Sequence, residues 1–97
     1  MKKNITSENT NLFINNRKIA VRLNQEGLRL ILLGKKDAAI NSFKESISLA
    51  CNYPDPLFHL ANIYIQSNQY SLAEKYYLLA IEINPNNADY YYNLAIT

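Results

Sequence analysis

The sequence predicts an all-α fold, built as a right-handed solenoid of helical hairpins. Three observations lead to this prediction. The 97 residues repeat themselves with a period of 34, the apolar residues in each repeat recur at helical spacing, and short turn-forming segments separate the helices. A fixed period of this length indicates stacked helical pairs, each of which buries its apolar face against its neighbours.

The period becomes visible when the sequence is shifted by 34 residues against itself. Small residues then align with small ones and large residues with large ones: Leu23 with Leu57, Gly27 with Ala61, Ala39 with Ala73, Phe43 with Tyr77, and Ile47 with Ile81. A second shift aligns Leu57 with Tyr91, Leu60 with Leu94, and Ala61 with Ala95. Residues 88–97 are therefore predicted to form the first helix of a third repeat.

The N-terminal residues 1–19 lie outside this period. Phe13, Ile14 and Ile19 favour a helical lead-in to the first repeat. The first ten residues are mostly polar, so we expect part of the segment to be disordered.

Turn-forming residues mark the helix ends within the repeats. Asp55 followed by Pro56 is typical of a helix start, with Asp55 as the capping residue. Gly34 and Asn68, one repeat apart, are predicted to close the first helix of each hairpin in a left-handed conformation. The sequence NPNN at residues 84–87 ends the second hairpin, because proline cannot extend a helix.

These positions carry a resemblance to the tetratricopeptide repeat (TPR) family. The second unit has the motif nearly complete, with Leu57, Leu60, Ala61, Tyr64, Ala73, Tyr77, Ala80 and Pro85. The first unit fits at Leu23, Gly27, Leu30, Gly34, Ala39 and Phe43, and departs from the motif at Glu26, Ser46 and Cys51. The resemblance implies an extension at residues 1–19, TPR unit 1 at 20–53, TPR unit 2 at 54–87, and the first helix of a truncated TPR unit 3 at 88–97.

In such a stack the first helix of each unit lines a concave groove. The side chains expected there are Asn24, Gln25, Leu28, Ile31, Leu32, Phe58, His59, Asn62, Ile65, Tyr92, Asn93 and Ile96. Their amides can bond a peptide backbone as donors and acceptors, while Leu28, Phe58 and Tyr92 accept its side chains. The alternative is that these residues only cover a solvated face and that partners bind elsewhere. The basic clamp of some family members has no Lys or Arg here, since the matching positions are Asn24, Phe58, Asp89 and Asn93.

Two packing expectations concern the C-terminal repeat and the cysteine. We expect Tyr91, Leu94 and Ala95 to dock against Tyr77, Ala80 and Ile81. Of the three neighbouring tyrosines, one should pack, one line the groove and one be solvated, because neighbours on a helix face different directions. Cys51 is expected to be a small buried side chain.

Composition excludes several kinds of function. The net charge of +2, evenly spread, does not indicate a nucleic-acid partner. Cys51 and His59 are too few to form a structural zinc site, and no phosphate-binding loop or supported carboxylate pair is present, so we expect no metal, no cofactor and no catalysis. The chain lacks a signal peptide or membrane segment and has one cysteine, which favours a cytoplasmic protein that does not contact a membrane.

Three functional hypotheses follow. The first is an interaction module, a scaffold or adaptor that binds a peptide or partner protein in its groove. The second is the N-terminal substrate-recruiting arm of a larger enzyme, such as a glycosyltransferase, which the gene sequence beyond Thr97 would decide. The third is a structural repeat protein that self-associates through the open C-terminal end, which light scattering would separate from a monomer.

Overall fold

The structure is a computed structural model that describes the backbone of residues 2–95 and the side chains of residues 10–95. This part of the chain forms five helices and no strand: α1 Lys2–Leu32, α2 Lys36–Leu49, α3 Asp55–Gln66, α4 Tyr70–Ile83 and α5 Ala88–Ala95. The first two helices pack as one hairpin and the next two as a second, with α2 against α3 and α4 against α5. The predicted all-α solenoid of helical hairpins is confirmed.

The first helix, α1, is much longer than the others. It has 31 residues and runs without a break from Lys2 to Leu32, so it includes the segment that the sequence set apart as an extension. No glycine or proline occurs before Gly27, and nothing therefore interrupts the helical hydrogen bonds. Leu12 and Phe13 are more than half exposed, which shows that the N-terminal half of α1 extends beyond its packing partner α2.

The two hairpin turns have the same geometry. Gly34 has φ 77° and Asn68 has φ 61°, so both predicted left-handed residues are confirmed. Around Gly34 the backbone bonds are Gly34 N–H to Ile31 O and Lys35 N–H to Leu30 O, and around Asn68 they are Asn68 N–H to Ile65 O and Gln69 N–H to Tyr64 O. These bonds satisfy the last carbonyls of α1 and α3 in the same way. Helix α3 begins at Asp55 with Pro54 at its N-cap and no side-chain cap, so the prediction that Asp55 is the capping residue is wrong.

The main core lies between the two hairpins. Its fully buried members are Ala39, Phe43, Leu60, Ala61, Ala73 and Tyr77. Gly27 allows the closest approach, because a Cβ atom built there would lie 2.5 Å from Cε1 of the Phe43 ring. The alternation of small and large residues that the sequence showed therefore sets the distance between α1 and α2.

Two buried serines add hydrogen bonds within the first hairpin. Ser46 Oγ donates to the carbonyl oxygen of Ala20 at 2.6 Å, and Ser42 Oγ donates to that of Leu23 at 3.0 Å. In the sequence, Ser46 is only a departure from the family motif. The structure shows that it joins α2 directly to the backbone of α1.

Helix α5 docks in a different register from the one predicted. Tyr90 is buried and packs with Leu57 and Ala80, whereas Tyr91 is 46% exposed and Ala95 is exposed. Tyr91 aligns with Leu57, which α4 covers in the second hairpin. Among the described residues no helix covers Tyr91 in that way, so the prediction that Tyr91 and Ala95 dock is wrong.

Two further observations concern the surface of the fold. Cys51 is exposed in the loop between α2 and α3, so the expectation that it fills the core is also wrong. No helix in the described part of the chain is long and apolar enough to cross a membrane.

Candidate functional site

The predicted groove residues differ widely in exposure. Gln25, Leu28, Ile31, Leu32 and Tyr92 are exposed; Phe58, His59, Asn62, Ile65 and Asn93 are half-buried; and Asn24 is buried. Ile96 lies outside the described residues. The exposed members of this set are therefore Gln25 and apolar residues on α1 and Tyr92 on α5, whereas its members on α3 are half-buried.

Asn62 brings three helices together. Its Oδ1 accepts hydrogen bonds from the Tyr77 hydroxyl on α4 and, at 3.4 Å, from Nδ2 of Asn93 on α5. Burial raises the pKa of Tyr77, and a hydrogen bond with Asn93 acts in the opposite direction. The predicted residues Asn62 and Asn93 thus meet, and they are joined to the core through a neutral tyrosine hydroxyl.

An aromatic group surrounds the first turn of α3. The Phe58 ring lies 5.1 Å from that of Tyr90, 6.0 Å from Tyr77 and 5.6 Å from His59, measured between centroids. His59 in turn lies 5.4 Å from Phe43. Phe58 therefore contributes to packing between the second hairpin and α5, and only part of its side chain is available to a ligand.

His59 is held in its neutral form by its surroundings. Burial lowers its pKa, and the nearby Asp55 carboxylate opposes this shift to a smaller extent. A neutral imidazole has one donor and one acceptor nitrogen, which suits it to bonding with a peptide group.

Asn24 differs from the predicted role. It is 4% exposed, and its Oδ1 accepts no hydrogen bond from any described residue. It lies beside Tyr53, whose pKa is raised chiefly by burial and then by Asp55, while Arg17 and Asn24 lower it. Arg17 also stacks 4.9 Å above the Tyr53 ring and bonds Asn52. Asn24 thus belongs to a buried contact between α1 and the loop before α3, and a ligand on the surface would not touch it.

A pocket that the sequence did not predict lies beside the first hairpin turn. It has a volume of about 130 Å³ and is lined by Ile31, Gly34, Lys36, Ile63 and Gln66. We call it the turn pocket. Lys36 Nζ, at its rim, donates to Ser67 Oγ at 2.8 Å. The left-handed glycine was predictable from sequence, but the space beside it depends on how α1 and α3 are spaced.

Charged groups are sparse around these features. The one ion pair among the described side chains joins Glu26 and Arg29 at 2.6 Å, one turn apart on α1. In the same residues, no three of His, Cys, Asp and Glu are grouped so that they could hold a metal ion.

The arrangement of hairpins stacked at a 34-residue period defines a helical-repeat protein. Residues 54–87, the second predicted unit, match the family model of the tetratricopeptide repeat. Residues 54–87 are therefore a tetratricopeptide repeat, which is in general a protein–protein interaction module.

Two curated proteins show the same similarity over a longer part of the chain. Protein adenylyltransferase Fic of Drosophila mojavensis is 35% identical over 72 residues, which are 72% of this chain and 14% of that protein. Tetratricopeptide repeat protein 6 of Homo sapiens is 31% identical over 75 residues, which are 77% of this chain and 14% of that protein. The chain therefore spans a small fraction of the length of these relatives.

Proposed function

We propose that the chain is a scaffold or adaptor module that binds an extended peptide, or an extended segment of a partner protein, along the groove of α1, α3 and α5. The observation that carries this proposal is the exposure of large apolar and aromatic side chains on the first helices, with Leu28 37% and Tyr92 69% exposed. Leu28, Ile31 and Leu32 are exposed together on one face of α1, and contiguous exposed apolar residues are typical of binding surfaces.

The polar groups between these residues suit a peptide backbone. Gln25 is exposed on α1, and His59 and Asn62 are half-buried on α3. Amide and imidazole groups offer both donors and acceptors, so they can bond peptide N–H and C=O groups without a charged ligand. Because Tyr77 and Asn93 both donate to Asn62, its side chain is fixed before a ligand arrives, which reduces the entropy lost on binding.

We infer that the described residues act by binding alone, in the cytoplasm, without a cofactor, nucleic acid or membrane. His59 and Cys51 lie on different elements, and Cys51 is exposed at a loop. A nucleophile needs a base within hydrogen-bond reach, and the described residues offer no such pair around Cys51.

The test uses peptides selected from a random displayed library on the immobilised chain. Binding of a selected peptide, measured by fluorescence anisotropy, should weaken about tenfold in Leu28→Ala and in Tyr92→Ala, since each change removes a partly exposed apolar contact. Leu78→Ala is the matched control, because Leu78 is 50% exposed on α4, outside the groove. Equal binding by all three variants would place the peptide elsewhere and contradict the proposal.

A second candidate function is supported by one comparison. The similarity to a protein named as an adenylyltransferase, over 72 residues, is consistent with a repeat segment that recruits substrates for an enzyme. The gene sequence beyond codon 97 tests this idea. An in-frame catalytic domain would support it, and a stop codon would exclude it.

A further inference from the structure

We propose that the turn pocket binds a leucine-sized aliphatic side chain that has a carboxylate next to it, as in a peptide segment in which acidic residues flank a leucine. This proposal rests on the proposed function, because it names one side chain of the bound peptide and the place where it inserts. Three features support the proposal: the size of the pocket, the glycine that lines it, and the charge at its rim.

The size and walls of the turn pocket suit one branched aliphatic group. Its volume is about 130 Å³, and Ile31 and Ile63 supply apolar walls. An apolar cavity of about 150 Å³ holds one benzene ring. The turn pocket is therefore large enough for a leucine side chain.

Gly34 lines the turn pocket and has no side chain. A Cβ atom built at Gly34 would have no heavy atom within 4 Å. The matching residue of the second turn, Asn68, carries a side chain whose Oδ1 accepts a hydrogen bond from the Tyr70 hydroxyl at 2.9 Å. Both residues adopt the same left-handed backbone, so the first turn could also carry an asparagine, and its glycine leaves free volume there.

The positive charge at the rim of the pocket favours a ligand in which an acidic residue stands next to the leucine. Lys36 Nζ bonds only the Ser67 hydroxyl among the described residues, and no described carboxylate pairs with it. An ammonium group has three donors, so it can bond a ligand carboxylate as well. The adjacent Lys35 is exposed and adds positive charge, which would disfavour a basic ligand residue.

The turn pocket also continues the groove. Ile31 lines the pocket and lies about one helical turn after Leu28 on α1. A peptide whose side chain contacts Leu28 could therefore place another side chain in the pocket without a bend. Insertion there would fix the position of the peptide along the groove.

The experiment uses an acetylated, amidated tripeptide of sequence Asp-Leu-Asp as the probe and the isotope-labelled full chain as the target. Nuclear magnetic resonance should show saturable shifts of the Gly34 amide and the Gln66 side-chain amide. The matched tripeptide Asp-Ala-Asp should bind about tenfold more weakly, the ratio expected from about two buried methylene groups. The neutral tripeptide Asn-Leu-Asn should bind about threefold to fivefold more weakly, as expected for an exposed ion pair.

Variants of the pocket residues test whether the probe binds in the turn pocket or elsewhere on the chain. Gly34→Asn should fold as the second turn does and should weaken binding, because it adds a side chain at a residue that lines the pocket. Lys36→Gln should weaken binding of the acidic probe about threefold to fivefold, whereas the neighbouring Lys35→Gln should leave it within about twofold.

The outcomes distinguish this proposal from the groove proposal. No saturable shift at Gly34, or unchanged binding by Gly34→Asn, would overturn the pocket while the Leu28 and Tyr92 test still stands. Equal binding of Asn-Leu-Asn would overturn the requirement for a carboxylate. Free 4-methylpentanoate, which has the same aliphatic group and a carboxylate but no peptide bond, tests whether the ligand is a small molecule. If this acid bound more tightly than the tripeptide, the assignment to a peptide would be overturned.

Discussion

The two hairpins share a backbone geometry and differ in how their helices are joined. In the first hairpin, Gly27 brings α1 close to the ring of Phe43, and the hydroxyls of Ser42 and Ser46 donate to carbonyl oxygens of α1. The side chains thus bond directly to the backbone of the facing helix. This hairpin also contains the buried Asn24, whose Oδ1 has no hydrogen-bond partner in the described part of the chain.

The second hairpin is joined mainly by aromatic packing. Tyr64 stacks on Tyr76 with centroids 5.7 Å apart, and the fully buried Tyr77 extends its hydroxyl to Asn62. Where the first hairpin has Ser46, the second has Ala80, which packs against Tyr90 of α5. The polar contact of one repeat is replaced by an apolar contact with the next helix.

The comparison separates the features that both hairpins share from those that differ. The turn conformation and the pairing of a small with a large residue are the same in both hairpins, while the groups around them vary. Residues 54–87, with the aromatic hairpin, are the part that matches the family model. The first hairpin pairs its helices in a similar way with different side chains. For this reason Ser46 departs from the family motif in the sequence.

The largest expected loss of stability comes from removing the side chain of Tyr90, which packs on the second hairpin and not on the first. Tyr90→Ala should lower the free energy of unfolding by about 3–5 kcal/mol, because it removes a 3%-exposed aromatic side chain from Leu57 and Ala80. Urea unfolding followed by circular dichroism measures the loss. The control Tyr91→Ala should change the unfolding free energy by less than about 0.5 kcal/mol. Equal losses would show that the docking register of α5 is wrong.

The next effect concerns the close contact of the first hairpin. Gly27→Ala gains about 1 kcal/mol of helix propensity, but its Cβ would lie 2.5 Å from the fully buried Phe43 ring, and overpacking costs about 1–3 kcal/mol. We expect a net loss of up to about 2 kcal/mol in thermal or urea unfolding. The reciprocal Ala61→Gly should lose about 1 kcal/mol from helix propensity. If Gly27→Ala raised the free energy of unfolding, the distance between α1 and α2 would be similar to that between α3 and α4.

A smaller effect follows from the single hydroxyl that distinguishes Tyr77 from Phe43. Tyr77→Phe should cost about 1 kcal/mol, since it removes the hydrogen bond to Asn62. The reverse change, Phe43→Tyr, should also destabilise the chain, because the residue matching Asn62 in the first hairpin is Leu28, which has no acceptor. The two variants are compared by urea unfolding at one pH. A stabilising Phe43→Tyr would show that a polar partner exists in the first hairpin.

The smallest effect is a pH dependence specific to the second hairpin. Burial lowers the pKa of His59 from 6.5, so the unfolded chain takes up a proton at a higher pH than the folded chain does. The contribution of neutral His59 is complete above about pH 6.5 and is lost progressively as the pH falls toward the folded pKa. His59→Gln, which copies Gln25 of the first hairpin, should reduce the difference between urea midpoints at pH 7.5 and pH 5.5. An unchanged difference would assign the pH dependence to other groups.

Much of the fold follows from local sequence rules. Gly34 and Asn68 adopt the predicted left-handed conformation because few other residues tolerate it, and the period of small and large residues fixes the pairing of helices. The predicted groove residues Asn62 and Asn93 also meet in space. These features depend on residue type at fixed spacing, which a sequence contains directly.

Other features depend on rotations and neighbours that a period does not define. The choice of Tyr90 over Tyr91 is a difference of one residue, or about 100° around α5, and both are tyrosines. The spacing of Asn24 predicts a groove position, yet the residue is buried and interacts with Tyr53 of the loop before α3. The exposed Cys51 and the turn pocket likewise result from how a loop or turn lies against a second helix.

The length of α1 has a consequence for its local stability. A straight helix of 31 residues spans about 46 Å, against a longest dimension of 51 Å for the described part of the molecule. The N-terminal half of α1 carries the exposed Leu12, Phe13 and Ile14, so this half is stabilised mainly by its own hydrogen bonds. Its backbone amides should therefore exchange with solvent faster than those of the packed half near Gly27.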